Sequence, residues 1–274
     1  MPRRKVSPIS PPRNTSSDET VLRALYRRNP ARVLPGPLWQ TIAMLPRLEC
    51  RFLGDAEAPA GVELREPGRS LVYGTPGRDA LKAASVKLDG VPVVQIHDDF
   101  VEPLLRWFDR RDTFFRLVRT DHELPLRAPV PGYAIREIDT TTELPLVATF
   151  LQTCSAMPVP GMPELISRMI RPVFEPRLWL WAVDKTTRRP IGMAIADADS
   201  FSSEGSLVWI QVLPDVRGMG IGTMLVQELL CRLDQEVAFV TATGATGNPC
   251  EPERLLRRCG FTGRDIWWTL RRRL

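Results

Sequence analysis

Histidine is nearly missing from this chain: of 274 residues only His97 and His122 are histidines. Neither lies near a cysteine in sequence. The five cysteines, Cys50, Cys154, Cys231, Cys250 and Cys259, form no C-x-x-C pair, so the ligand spacing of a metal site is absent and none is expected. Their odd, scattered count also excludes a disulfide framework and suits a reducing compartment. No apolar run approaches the ~20 residues that a membrane span needs. The basic N-terminus continues into Pro, Ser and Asn where a secretory signal would place its apolar segment. These absences together predict a cytoplasmic protein.

What remains is ample for a core. The chain is 43% hydrophobic and 25% charged, and its length favours two compact units over one. A net charge of +5 leans towards anionic small molecules or nucleic acid without choosing between them. Much of the excess sits in "MPRRK" and the closing "RRRL", neither interleaved with aromatics, so both read as solvated tails rather than a nucleic-acid surface.

Residues 1–18, rich in Pro, Ser and charge, read as a disordered lead-in. Ser17 or Asp18 then caps a helix in which Val21, Leu22, Leu25 and Tyr26 recur at helical spacing until Pro30. Short, partly alternating segments broken by Gly and Pro follow, with helices expected over residues 78–88 and in "DDFVEPLLRWFDR". Three prolines near residue 130 place a boundary there, giving an N-terminal α/β domain over 19–130 and a second over 131–274. The second reads as strand "YAIREI", two helical stretches, strands "LWLWAVD", "PIGMAIADAD" and "SLVWIQVL", a glycine turn, a helix to about Leu233, strand "VAFVTAT", the short helix "EPERLLRRC" and a last strand "DIWWTLRR". This alternation predicts an α/β fold around a central sheet. No internal repeat is visible, although a diverged duplication would be hidden in the first half.

The turn "VRGMGIG" carries the chemistry. Glycines let the backbone approach a ligand and adopt positive φ, while the first amides of a helix point outward unpaired at the positive end of its dipole. That arrangement binds phosphate, and Arg217 adds a planar cationic fork. Ile221, Leu225 and Leu229 repeat along one face of the helix that follows, with Leu230 and Leu233 beside them. A P-loop needs Gly-Lys-Ser/Thr, but Gly222 is followed directly by Thr223; a dinucleotide fingerprint needs G-x-G-x-x-G, but the run is Gly218, Gly220, Gly222 and then Met224. The bland alternative is a tight strand-to-helix connection whose glycines serve packing only.

Val212 to Gly222, "VLPDVRGMGIG", resembles the acetyl-CoA-binding signature of the GNAT superfamily of N-acyltransferases, with Arg217, Gly220 and Gly222 as its core. Asn248 to Phe261, "NPCEPERLLRRCGF", is similar to that family's second motif, in which an Asn precedes a short helix ending in Gly-Phe. The resemblance covers about residues 131–274. It implies a GNAT-like mixed central sheet flanked by helices, and an N-terminal α/β domain that is either a degenerate second copy of the fold or a lid. It also implies transfer of an acetyl or other acyl group from acyl-CoA to an amine by direct attack, with acetyl-CoA as co-substrate. Its pyrophosphate would lie on Arg217, Gly218, Met219, Gly220, Ile221, Gly222 and Thr223, its pantetheine along Val212 and Leu213, and Asn248 nearby.

The catalytic groups are less legible. Many family members carry a tyrosine four residues before the glycine of the second motif; that position is Leu256 here, which suits packing beside Leu255. Cys259 reads as a small buried apolar residue, whereas Cys250 lies in a loop where a reactive thiol would be exposed. Glu204 occupies the region where some members place a base, but "SSEG" is turn chemistry and predicts a solvated residue. Asp197 and Asp199 share a strand face and either line a cleft or form an exposed edge; Thr241 and Thr243 offer hydroxyls near the thioester. Transfer through ordered water needs no base at all. Trp179 and Trp181 share one face, whereas Trp267 and Trp268 must point to opposite faces, leaving one to wall an acceptor pocket. "HDDF", His97 to Phe100, either covers the same cleft or starts a helix with Asp98 or Asp99 as its cap. Two other classes compete: a non-catalytic CoA-binding or regulatory module, and a nucleic-acid-associated protein using its arginine-rich tails. The acceptor is an amine-bearing small molecule or peptide.

Overall fold

The computed structural model describes residues 15–55, 58–77, 91–121, 123, 129–154, 159–234 and 236–272. The helix expected over residues 78–88, most of the lead-in and His122 lie outside them. Where the lead-in is described it is already ordered: helix α1 runs Thr15–Arg28, so it begins before the expected Ser17 or Asp18 cap. Two short helices follow, α2 (Pro30–Val33) and α3 (Leu38–Met44), and then strands β1 (Glu49–Gly54), β2 (Pro59–Glu66), β3 (Ser70–Gly74), β4 (Val93–His97) and β5 (Arg110–Arg119). The helix expected in "DDFVEPLLRWFDR" is instead two 3₁₀ turns, Asp98–Phe100 and Glu102–Trp107. Pro103 has no amide to give, and the segment has only its short tight turns to close.

The second half follows its sequence pattern closely: β6 (Tyr133–Glu137), α4 (Leu144–Cys154), α5 (Met162–Met169), β7 (Trp179–Asp184), β8 (Pro190–Asp199), β9 (Glu204–Val212), α6 (Ile221–Leu233), β10 (Phe239–Ala245), α7 (Pro252–Arg258) and β11 (Thr262–Arg271). Helix α6 buries Ile221, Leu225, Val226, Leu229, Leu230 and Leu233, the stripe its spacing predicts. It lies close because glycines floor it: a Cβ on Gly192 would stand 3.0 Å from Ile221, and one on Gly205 3.0 Å from Leu233.

Among the described residues eleven strands form one mixed sheet in the order β1-β2-β3-β4-β11-β5-β10-β9-β8-β7-β6. Leaving aside the edge strand β6, which pairs antiparallel with β7, its pairing reads the same from either side. From β1 inward the contacts are antiparallel, antiparallel, parallel (β3 with β4) and antiparallel (β4 with β11). From β7 inward they are antiparallel, antiparallel, parallel (β9 with β10) and antiparallel (β10 with β5). The centre is the antiparallel β5–β11 ladder, with Arg110 opposite Arg271 and Arg116 opposite Asp265. Each half of the chain thus passes its last strand into the other half, and the sheet is continuous across residue 130. Helices α1 to α5 lie on one face, where Tyr26 reaches Glu204 and Phe150 packs edge-on to Trp181. Helix α6 covers the other. Trp179 and Trp181 do share a face, both fully buried; Trp267 and Trp268 fall into opposite faces.

Candidate functional site

Strands β9 and β10 hold each other over only four residues, from Phe239 opposite Glu204 to Ala242 opposite Leu207. Beyond that they part. On its other edge β9 carries a bulge: Ala196 faces Leu207 and Ile195 faces Trp209, leaving Val208 unpaired and bending the strand. Strand β10 meanwhile follows β5, with Thr243 opposite Arg116 and Ala245 opposite Phe114. The gap is a cavity of about 540 Å³. Its sides are Leu207 to Val212 of β9 and Ala242 to Gly244 of β10, and its mouth is the glycine turn together with the Asn248 loop and α7.

The turn is built for backbone exposure. After Val212 a single 3₁₀ turn, Pro214–Val216, leads to Arg217 in extended conformation, and then Gly218 and Gly220 both take positive φ, +81° and +87°. Gly220 is the N-cap of α6, and the Met224 amide makes its helical bond back to the Gly220 carbonyl at 3.0 Å. The amides of Ile221, Gly222 and Thr223 therefore project from the helix end towards the cavity mouth. Gly222 serves packing instead, since a Cβ there would sit 3.2 Å from Leu255 of α7, and its absence sets the approach of the two helices. The packing reading thus describes Gly222, whereas Gly218 and Gly220 are needed for their positive φ.

The cavity gathers Val212, Arg217, Gly218, Gly220, Ile221, Gly222, Thr223 and Asn248 of the expected cofactor residues. Two fall elsewhere. Leu213, just past the end of β9, is buried in the core with its amide donating to the Ile191 carbonyl at 3.0 Å, and Met219 is exposed at the tip, its sulfur accepting from the Tyr133 hydroxyl at 3.8 Å. Arg217 also differs from expectation. Its guanidinium donates to the Val212 carbonyl and the Cys154 carbonyl, 3.0 Å each, so it pins the turn to the ends of β9 and α4 rather than offering a free fork. Arg254 and Arg258 of α7, which the sequence motifs do not single out, line the mouth as well as an adjoining cavity of about 790 Å³. The sequence signal for them is their i, i+4 spacing on a helix directly after the Asn loop.

The catalytic candidates separate by burial. Glu204 is not a solvated turn residue: it is the first residue of β9 and its side chain is fully buried. It accepts from the Tyr26 hydroxyl at 2.8 Å, the Thr241 hydroxyl at 2.7 Å, the Leu38 amide at 3.2 Å and Arg116 at 3.3 Å. Burial pushes its carboxyl above the ordinary range, opposed first by Arg116. With the Ser206 hydroxyl at 3.4 Å, five donors enclose this carboxyl in a buried network, so it is not a base facing the cavity. Thr243 is exposed in the cavity, and its hydroxyl accepts from Arg116 at 3.2 Å, which leaves its own proton directed elsewhere. Cys250 is exposed at the same mouth, its amide donating to Asn248 Oδ1 at 2.9 Å. Cys259 is buried, and burial pushes its thiol up to about 11, which makes it unreactive. Glu251 lines the mouth with φ +45°, a left-handed conformation that a non-glycine residue holds only under constraint.

Asp197 and Asp199 are both buried, not an exposed edge. Asp199 accepts from the Ser202 hydroxyl at 2.5 Å and the Phe201 amide at 3.0 Å, closing the β8–β9 turn. Asp197 has one ion-pair contact, Arg168 at 3.4 Å, and burial pushes it from 3.8 up to about 6. The folded protein thus holds this proton more tightly than the unfolded chain does. Stability should fall as pH rises from about 4 to about 6, by up to ~3 kcal/mol, and then level off. Denaturant titrations at a series of pH values check this, and Asp197→Asn should flatten that part of the profile. An equal slope in the variant would assign it to other groups.

Neither Trp267 nor Trp268 walls the cavity. The Trp267 indole donates to the Ala31 carbonyl at 2.7 Å, and that of Trp268 to Asp98 at 2.6 Å. "HDDF" takes its bland reading with a different cap: His97 Nδ1 accepts from the Asp99 amide at 3.2 Å. Among the described residues no cluster of three His, Cys, Asp or Glu could hold a metal, and no helix is long and apolar enough to cross a membrane.

A parted pair of parallel strands with a glycine-capped helix at its mouth thus lies at the heart of this α/β fold. Residues 153–261 match the model of the acetyltransferase (GNAT) family. The fold likeness spans nearly the whole chain. A GCN5-related N-acetyltransferase from Sphaerobacter thermophilus is 15% identical, covers 92% of this chain and 92% of its own, and has a TM-score of 0.63. A GNAT-family acetyltransferase from Colwellia psychrerythraea is 11% identical over 95% of this chain and 98% of its own, with a TM-score of 0.60. A tandem GNAT protein from the clavulanic acid biosynthesis pathway is 14% identical over 95% and 97%, with a TM-score of 0.51. At such identities the likeness is one of fold. No curated protein matches the chain in sequence. The matched residues lie within the C-terminal half, and acyl transfer is the chemistry of the family whose model they match.

Proposed function

We propose that the chain is an acyl-CoA-dependent N-acyltransferase whose acceptor is an amine on a small molecule or peptide. The observation that carries this reading is the row of helix-end amides, Ile221 to Thr223, opening into the gap between β9 and β10. Those amides and the glycine backbone suit a pyrophosphate, and Arg254 and Arg258 add positive charge on the same rim. The edge of β9 from Val208 to Val212, released from β10, offers main-chain donors and acceptors to the amide groups of a pantetheine arm. Acyl-CoA supplies the activated carbonyl; the attacking amine nitrogen forms the new C–N bond as the C–S bond breaks.

Leu256 has no proton to give, so stabilisation of the departing thiolate falls to Thr243. Its hydroxyl, held by Arg116 from β5, is free to donate into the cavity. Arg116 comes from the first half of the chain, which makes that half part of the site. Its mirrored strand pairing supports a degenerate second GNAT unit, in which the counterpart groove between β3 and β4 is closed. A Cβ on Gly74 would collide with the Val33 carbonyl, so α2 lies directly on the strand end. One acyl-CoA per chain follows. Five cysteines outside any disulfide suit a reducing, cytoplasmic setting.

Calorimetry should show acetyl-CoA binding at one site per chain, and an amine panel should release free thiol from it. Binding without thiol from any amine would favour a CoA-binding module. No binding, together with nucleic-acid affinity that collapses with salt, would favour the tails as the functional element.

A further inference from the structure

Two arginines stand near Trp209, a residue of the cavity wall, and one of them has a buried donor without a partner. Helix α5 ends in a turn closed by the Arg171 amide on the Arg168 carbonyl at 3.2 Å, which places the two side chains three residues apart on the α1-to-α5 face of the sheet. The Arg168 guanidinium lies 4.4 Å over the ring of Trp209, the β9 residue that lines the cavity just past the bulge. That of Arg171 lies 5.4 Å over Trp39 of α3. An indole under each guanidinium occupies its flat face and leaves the in-plane N–H edge for hydrogen bonds.

Those edges are underused. Arg168, with 11% of its side chain exposed, meets Asp197 at 3.4 Å, and its Nε is buried without any partner. The Trp39 indole N–H is buried and unpartnered too. Among the described residues Arg171 has no ion pair; Asp197 senses both arginines, and Glu164 attracts Arg168 more weakly. Two cations with a single ion-paired acid, and orphaned donors between two indoles, describe a place that a planar anion completes. The two arginines lie on the face opposite α6, with Trp209 of the cavity wall against Arg168, whereas the proposed phosphate cradle belongs to α6, so an anion here belongs to a different molecule from acyl-CoA.

We infer that Arg168 and Arg171, stacked on Trp209 and Trp39, form an acceptor subsite for a carboxylate, so that the amine acylated by this protein belongs to an amino acid or a similar carboxylated amine. This rests on the acyl-transfer reading above and names its substrate class. A carboxylate matches two in-plane guanidinium edges, and the indoles favour an aromatic or flat side chain next to it.

The full chain with saturating acetyl-CoA is assayed for thiol release against matched amines: phenylalanine and phenethylamine, 4-(aminomethyl)benzoate and benzylamine, phosphoethanolamine and ethanolamine. Within each carboxylate pair the acid should be preferred at least tenfold in kcat/KM. Arg168→Gln and Arg171→Gln should each cut that preference about tenfold while calorimetric affinity for acetyl-CoA stays as in the parent. Arg171, only half-buried, provides the informative variant should Arg168→Gln fail to fold. Equal use of the neutral amines, or a preference that survives both substitutions, overturns the subsite. A phosphorylated amine favoured over both acids overturns the carboxylate assignment. If acetyl-CoA binds and no amine yields thiol, thermal stabilisation of that complex by phenylalanine and not phenethylamine supports the subsite, and stabilisation by neither overturns it. Failure to bind acetyl-CoA overturns the reading beneath it instead.

Discussion

Glu204→Leu is expected to lower stability by about 3–5 kcal/mol, enough to leave much of the protein unfolded at 37 °C, because it strands a buried arginine. Arg116 is 1% exposed and spends its other donors on the Pro30 carbonyl, the Tyr26 hydroxyl and Thr243. Buried this deeply, it cannot exchange the lost carboxylate for bulk solvent. Tyr26, Thr241 and the Leu38 amide would lose their acceptor in the same substitution. Because these groups come from α1, α3, β5, β9 and β10, the network joins the two halves of the chain, and its loss should unfold both together. Urea titration followed by two probes, Trp fluorescence and far-ultraviolet circular dichroism, checks this. A loss under 1 kcal/mol would mean that Glu204 is neutral and dispensable. Glu204→Gln keeps the shape and some acceptors, and should cost less than the leucine variant.

Gly220→Val should reduce acetyl-CoA affinity about 100-fold or more while the sheet remains folded. Gly220 holds φ +87° at the N-cap of α6, with only Val130 near the space a Cβ would occupy, so the obstacle is conformational rather than steric. A β-branched residue leaves the left-handed region and turns the neighbouring peptide planes away. Two charge-assisted hydrogen bonds lost at about 1.5–3 kcal/mol each correspond to at least that factor. Calorimetry with acetyl-CoA measures it directly, alongside a thermal melt. Near-parental affinity would return the glycine turn to a packing role, the role that Gly222 already fills against Leu255.

Much of the second half was legible because its determinants are local. The stripe of α6, the alternation in β7 to β9 and the paired glycines each encode their structure within a dozen residues, and the cavity mouth is where the two motifs place it. The misreadings are non-local. "SSEG" has turn composition, yet Glu204 is drawn into a strand by β10 on one side and by an arginine 88 residues away on the other. Arg217 has the chemistry of a phosphate ligand, yet the Cys154 carbonyl at the end of α4 claims it. Arg116 left one trace: a charge interrupting the apolar run "TFFRLV", which is where a buried ionic partner would be sought. Arg168 and Arg171 left none, since arginines three apart at a helix end ordinarily face water.

By itself the sequence determined the elements of the second half and the glycine turn that caps α6. Period, proline placement and glycine spacing act through local sterics and helix-end electrostatics, which depend on few neighbours. Only the tertiary structure decided that β5 and β11 change places between the halves, that Arg116 reaches Thr243 across them, and which polar groups are buried. A strand's partner is chosen by register and burial over the whole sheet, and a charge is raised, lowered or held by residues that no window of sequence contains.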